Sequence, residues 1–171
     1  MTKSVGNRSK FRHDLDLDGF KPINDRFGHA IGDAVLIKFA LLLRDVCRPT
    51  DTIARIGGDE FAVLVEGIDS KAEVLVTAWR ILDALKPGCD FGGEPLKVGA
   101  SIGVAIAPFD GLSADQLFET ADRALYEAKA TGGSSVRMYD TRPDQYGTEG
   151  YQKAGRPSDL AGSIEGPRKS A

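Results

Sequence analysis

Arg55-Ile56-Gly57-Gly58-Asp59-Glu60-Phe61 is the stretch that decides the fold. Two glycines and two acids stand between apolar runs, Ile53-Ala54-Arg55-Ile56 before and Phe61-Ala62-Val63-Leu64-Val65 after. This pattern predicts a tight β-hairpin, because glycine takes turn conformations that a β-carbon forbids. The turn would present carboxylates at a strand end, beside backbone bare enough for a ligand to lie against. Upstream, Asp16-Leu17-Asp18-Gly19-Phe20-Lys21 adds more acids and another glycine. Together the two segments point to a site for a divalent metal and a phosphate.

Outward from the hairpin, helix and strand patterns alternate. Residues 29–47 place Val35, Phe39, Leu42, Leu43 and Val46 on one helical face. Ser70-Lys71-Ala72-Glu73 reads as a capping box opening a helix to about Lys86, with Val74, Ala78, Ile81, Leu82 and Leu85 turned inward and Pro87-Gly88 ending it. Residues 96–107 read as a strand. Ser113-Ala114-Asp115-Gln116 reads as a second capping box, opening a helix to about Ala130, and Val136–Tyr139 as a last short strand. From Thr141 the chain turns to Gly, Pro, Ser, Arg and Asp without a period, which predicts a disordered tail over 141–171.

Composition narrows the function classes. A chain of 171 residues fits one domain with a proper core. A net charge of −3 carries no basic signature for nucleic acid. Cys47 and Cys89 form neither a disulfide framework nor a CxxC zinc pattern, and a reducing, cytoplasmic setting suits them. No apolar run approaches the ~18 residues of a membrane span, and Met1–Arg12 is too polar for a signal peptide, so membrane insertion by this chain is not expected.

The hairpin and its surroundings resemble the GGDEF domain, the module of diguanylate cyclases. Gly57-Gly58-Asp59-Glu60-Phe61 matches the signature in full. So do Asp16-Leu17-Asp18-Gly19-Phe20-Lys21-Pro22-Ile23-Asn24-Asp25, Phe27-Gly28-His29, Gly32-Asp33, Ser101-Ile102-Gly103-Val104-Ala105 and Ala121-Asp122-Arg123-Ala124-Leu125-Tyr126-Glu127-Ala128-Lys129. The resemblance covers residues 14–140 and implies an α/β palm, a central mixed sheet with helices packed on it, like that of nucleotide cyclases and polymerases. It also implies condensation of two GTP into cyclic di-GMP and two pyrophosphates by a homodimer.

The same resemblance implies residue roles. Asp16, Asp59, Glu60 and the Leu17 carbonyl would hold Mg²⁺ or Mn²⁺, with Asp16, Asp59 and Glu60 as the catalytic acids. Glu60 would hold the second ion or help remove the hydroxyl proton. Gly19 and Phe20 would cradle phosphates with backbone N–H groups, beside Gly57 and Gly58 of the hairpin, while Lys21 and Lys129 neutralise triphosphate charge. Asn24 and Asp33 would read guanine, and His29 would position or pack. Arg48-Pro49-Thr50-Asp51, five residues before Gly57, matches an RxxD site at which cyclic di-GMP inhibits.

Two departures accompany the match. Gly133 stands where the family usually has Arg, in a Gly-Arg-Asn triplet that reads Gly132-Gly133-Ser134 here. Near the start, Gly6-Asn7-Arg8-Ser9-Lys10-Phe11 resembles the motif that opens the domain, yet only Arg12-His13-Asp14-Leu15 separate it from Asp16. The expectation is an internal deletion of a long helix and the apolar half of the first strand, leaving residues 1–13 as a remnant before an incomplete domain over 14–140. Phe11, His13, Leu15 and Leu17 then alternate with Arg12, Asp14 and Asp16, an unusual charge load for a central strand. A non-catalytic module that binds cyclic di-GMP or GTP as a signalling receptor therefore stands as the alternative to the enzyme.

Overall fold

The computed structural model describes residues 10–67, 71–91, 94–107, 113–140 and 150–153. In chain order the elements are β1 (Lys10–Asp18), α1 (Phe20–Phe27), α2 (His29–Val46), β2 (Thr52–Gly57), β3 (Glu60–Glu66), α3 (Lys71–Leu85), β4 (Cys89–Phe91), β5 (Glu94–Leu96), β6 (Gly99–Ala107), α4 (Ala114–Ala130), β7 (Val136–Asp140) and β8 (Gly150–Lys153). The expected helices and the hairpin are all present. The Ser113 capping box is formed in full, with Gln116 N–H donating to Ser113 Oγ and Ser113 N–H donating to Gln116 Oε1. Ser70, the other expected cap, lies outside the described residues.

The sheet runs β2-β3-β1-β6-β7-β8, antiparallel throughout except for the parallel β6–β7 pair. Five of these strands form the mixed sheet of the α/β fold, and β8 lengthens it at the β7 edge. Gly150–Lys153 thus corrects the reading of 141–171 as wholly disordered. Four residues of that stretch gain a backbone ladder on Arg137–Asp140, which a search for apolar periodicity does not detect. A separate two-stranded hairpin, β4–β5, was also not expected.

β1 corrects a second expectation. It is a full strand of nine residues, paired along its length with β3 on one side and β6 on the other. Lys10–His13, read as part of a remnant, are its first half. One face of β1 presents Phe11, His13, Leu15 and Leu17, all essentially without exposure, to the core shared with α2 and α3. The other presents Arg12, Asp14 and Asp16 toward α4. The charges there are not buried unpaired. Arg12 Nε donates to Asp14 Oδ1 at 2.8 Å, and the guanidinium lies 4.2 Å from the centre of the Phe118 ring of α4. The pairing is incomplete, because Arg12 Nη2 is buried without a partner and burial pushes the Asp14 carboxyl up to about 6 against the attraction of Arg12.

α4 approaches the sheet closely because β6 is small where they meet. A Cβ at Gly103 would fall 2.2 Å from both Ala121 O and Leu125 N. Both neighbours are backbone and cannot swing aside. Gly103→Ala should therefore lower stability by about 1–3 kcal/mol through overpacking, seen as a reduced thermal midpoint. An unchanged midpoint would show that α4 shifts freely.

His13 yields a pH prediction. Its Nε2–H donates to Val74 O at 3.2 Å, its Nδ1 is buried without a partner, and burial lowers its pKa from 6.5. The unfolded chain takes up a proton below about 6.5 that the folded chain refuses, so this contribution is complete above that pH and is lost as pH falls. The slope is at most about 1.4 kcal/mol per pH unit. Asp14 tilts the range between 3.8 and about 6 the other way, its folded form holding a proton that the unfolded chain releases. The test is thus a comparison: His13→Gln, which keeps a donor for Val74 O, should lose less stability than wild type between pH 6.5 and 5. Parallel curves would refute it.

Candidate active site

The site forms where β1 ends, because three other segments finish beside it. Asp16 faces Glu60 across the β1–β3 ladder, and Leu17 N–H donates to Asp59 O at 3.4 Å, tying the hairpin turn to β1. Within the turn Gly58 has φ +47°, and Arg55 Nε donates to Gly58 O at 2.9 Å. Asp59 and Glu60 are thereby held on the rim next to Asp16. From α4, Lys129 Nζ meets Asp16 Oδ2 at 2.6 Å.

Burial raises the Asp16 pKa, the Lys129 ammonium lowers it, and the fields of Asp59 and Glu60 raise it again. Three neighbouring acids with one ammonium paired to Asp16 make a place that favours a cation. Among the described residues no three acidic, histidine or cysteine side chains already converge as a metal cage. Mg²⁺ does not demand one, since it is commonly held by one or two carboxylates with water and substrate phosphates. The all-oxygen donor set therefore fits such an ion.

Gly19 caps α1 with φ +77°, a left-handed conformation that costs glycine nothing, and no side chain bonds the first N–H groups of the helix. Phe20 and Lys21 N–H groups are thus free of intrahelical partners, as at any helix start. Pro22 has no N–H to offer. A Cβ at Gly19, Gly57 or Gly58 would meet nothing within 4 Å, so the surface between α1 and the hairpin is open to a ligand. Lys21 is exposed beside it.

The tight α1–α2 junction sets the Asn24 side chain against Gly32, the residue before Asp33. Gly32 permits it, because a Cβ there would sit 1.9 Å from Asn24 Oδ1. Asp33 opens onto a cleft of about 420 Å³ between α2 and the hairpin, walled by Leu36, Ile37, Ala40 and Phe61, with Arg55 at its edge. An apolar slot with a carboxylate at its mouth suits a flat ring with N–H donors. His29 is exposed at the start of α2.

Arg48 and Asp51 are close but turned differently from a ready ligand clamp. Asp51 Oδ2 accepts from Arg48 N–H at 2.8 Å, and Asp51 Oδ1 is buried without a partner. The Arg48 guanidinium is exposed and meets Glu73 at 3.3 Å. Cys47, next to this turn, is buried, and burial with the Asp51 charge pushes its thiol up to about 11, so it is unreactive.

One residue at the site was missed by sequence reasoning: Asp18. It accepts from Ser101 Oγ at 2.7 Å, from Ser134 N–H at 2.7 Å and from Ser134 Oγ at 3.2 Å. The only signal was its place two residues beyond Asp16 on the same strand face.

The family model described as "Diguanylate cyclase, GGDEF domain" matches residues 14–135. The chain is 41% identical over 128 residues to the diguanylate cyclase DgcS of Shewanella oneidensis, covering 75% of this chain and 42% of that protein. Its fold matches the crystal structure of the TpbB GGDEF domain of Pseudomonas aeruginosa with a TM-score of 0.76 and 35% identity, over 80% of this chain and 86% of that one. The GGDEF domain of DgcB from Caulobacter crescentus, solved in complex with c-di-GMP, matches with a TM-score of 0.72 and 31% identity over 78% and 79% of the two chains. The chain spans between 16% and 42% of the length of these and similar curated relatives. Among the described residues no helix is long and apolar enough to cross a membrane.

The Lys129–Asp16 pair generates a prediction. Lys129 is partly exposed, so Lys129→Met should change stability by less than about 1 kcal/mol. Affinity for a nucleotide triphosphate should nevertheless fall by about tenfold, the loss of one charge-assisted contact. A melting curve and a binding isotherm check both, and unchanged affinity would remove Lys129 from the site.

Proposed function

The chain belongs to the GGDEF diguanylate cyclase domain family, and on that footing we propose that it condenses two GTP into cyclic di-GMP and two pyrophosphates. The observation that carries this reading is the gathering of Asp16, Asp59 and Glu60 at the end of β1, beside the open start of α1. Asp16 and Asp59, with the Leu17 carbonyl, would hold Mg²⁺ or Mn²⁺, and Glu60 would hold a second ion or take the hydroxyl proton. When bound there, such an ion would supply Lewis acidity to lower the pKa of a hydroxyl and positive charge to balance a pyrophosphate.

The protein's own groups then act by position. Gly19 and Phe20 N–H groups receive the phosphates, Lys21 and Lys129 neutralise them, and Asn24 with Asp33 reads guanine above the Leu36–Phe61 cleft. One protomer holds one GTP, and a two-fold pair brings each 3′-oxygen to the other α-phosphate. The new ester bond forms as the bond to the β-phosphate oxygen breaks. Arg48 and Asp51 would take cyclic di-GMP as an inhibitor, Asp51 by exchanging its bond to Arg48 N–H for one to guanine.

A second reading, nucleotide binding without turnover, is favoured by one feature: the Gly132-Gly133-Ser134 turn carries no guanidinium for the phosphates. Chromatography of protein incubated with GTP and Mg²⁺ separates the two. The enzyme reading expects cyclic di-GMP from wild type and a loss of at least about a hundredfold for Asp59→Ala with its melt intact. No product from a folded dimer would favour the second reading, and full activity of Asp59→Ala would sink the metal assignment. Arg48→Ala should relieve inhibition by added cyclic di-GMP while sparing the initial rate.

A further inference from the structure

Asp18 lies on the same strand as Asp16, yet it points to a different task. Its carboxylate spends its acceptors on the turn that follows α4 and on β6: Oδ1 accepts from Ser101 Oγ, and Oδ2 accepts from both Ser134 N–H and Ser134 Oγ. The space for this contact has been cleared on two sides. A Cβ at Gly99 would fall 2.3 Å from Ser134 Oγ and 3.0 Å from Asp18 Oδ2, and a Cβ at Gly133 would fall 2.9 Å from Asp18 Oδ2.

The turn itself is built to meet it. Gly132 N–H donates to Lys129 O and Gly133 N–H to Ala128 O, the paired bonds of a glycine-ended helix cap. The chain then passes through Ser134 at φ +46°, the one described non-glycine residue with a positive φ. That conformation is unfavourable for a residue with a side chain and persists where the surroundings hold it. Here the two bonds to Asp18 do the holding.

We propose that Asp18 is a positioning residue: its carboxylate clasps the α4–β7 turn to the end of β1, and so sets Lys129 against Asp16 and the Gly19 backbone against the incoming phosphates. Both ends of the clasp adjoin the site. Asp18 is covalently next to Gly19, and Ser134 follows the helix end that carries Lys129. The role rests on the reading of the site as one for Mg–GTP.

The test measures binding of a non-hydrolysable GTP analogue with Mg²⁺ by calorimetry, alongside thermal melts. Asp18→Ala should weaken binding about tenfold, as loss of a supporting partner behind a binding group does. Asp18→Asn, whose amide oxygen can still accept from Ser134 N–H, should stay near wild type. Ser134→Ala should add little to Asp18→Ala in the melts, because the two changes break one contact. Val65→Ala, in the core at the far end of β3, supplies a control that loses stability without touching the clasp.

Weak binding by Asp18→Ala with near-normal binding by Asp18→Asn and Val65→Ala supports the role. Binding by Asp18→Ala no weaker than by Val65→Ala overturns it and leaves the cyclase reading standing. Failure of wild type to bind the analogue overturns both. Non-additive melts would still report the contact.

Discussion

A strand with neighbours on both sides and helices over both faces has nowhere to put a charge, yet β1 carries Arg12, Asp14, Asp16 and Asp18 on the face toward α4. The structure answers with a partner for each. Arg12 and Asp14 hold one another under Phe118, Asp16 takes Lys129, and Asp18 takes Ser101 and Ser134. Every partner except Ser101 and the Arg12–Asp14 pair itself comes from α4 or the turn beyond it. The position of α4 is therefore not free: it must serve this row of charges. Gly103 and its small neighbours let it come close enough to do so.

The row is graded along the strand. At its start the charges are sealed, and the cost shows in the Asp14 carboxyl pushed up to about 6 and in an unpartnered Arg12 nitrogen. Toward its end the helix and the hairpin both finish, and Asp16, itself buried, meets the partly exposed ammonium of Lys129. Uncompensated negative charge is expensive inside a fold, and where it persists it marks a place that favours a cation. The same strand thus spends stability at one end and collects binding potential at the other.

Much of this could be read in the chain. The hairpin, the Ser113 cap, and the apolar faces of α2 and α3 follow from spacing and turn chemistry, which are local. Asp16, Asp59 and Glu60 were legible because their motifs are. What escaped was non-local. The strand β8 has no apolar period and exists through backbone bonds to β7. The first half of β1 looked too charged for its place because its relief lies at Phe118, more than a hundred residues away. Asp18 looked like one more acid in a cluster, since nothing near it in sequence announces Ser134.

That distant partner also explains why Gly133 is not simply a lost arginine. At φ +72° a side chain is strained, and the first atom it would add sits within 3.1 Å of all three atoms of the Asp18 carboxylate. Restoring a guanidinium there would have to loosen the clasp before it could reach a phosphate. The turn is accordingly committed to holding the helix end, which leaves Lys129 as the cation set against the end of β1. A flexible ammonium is a weaker fork than a guanidinium, but Lys129 is already held against Asp16 at 2.6 Å by the helix end that the turn secures.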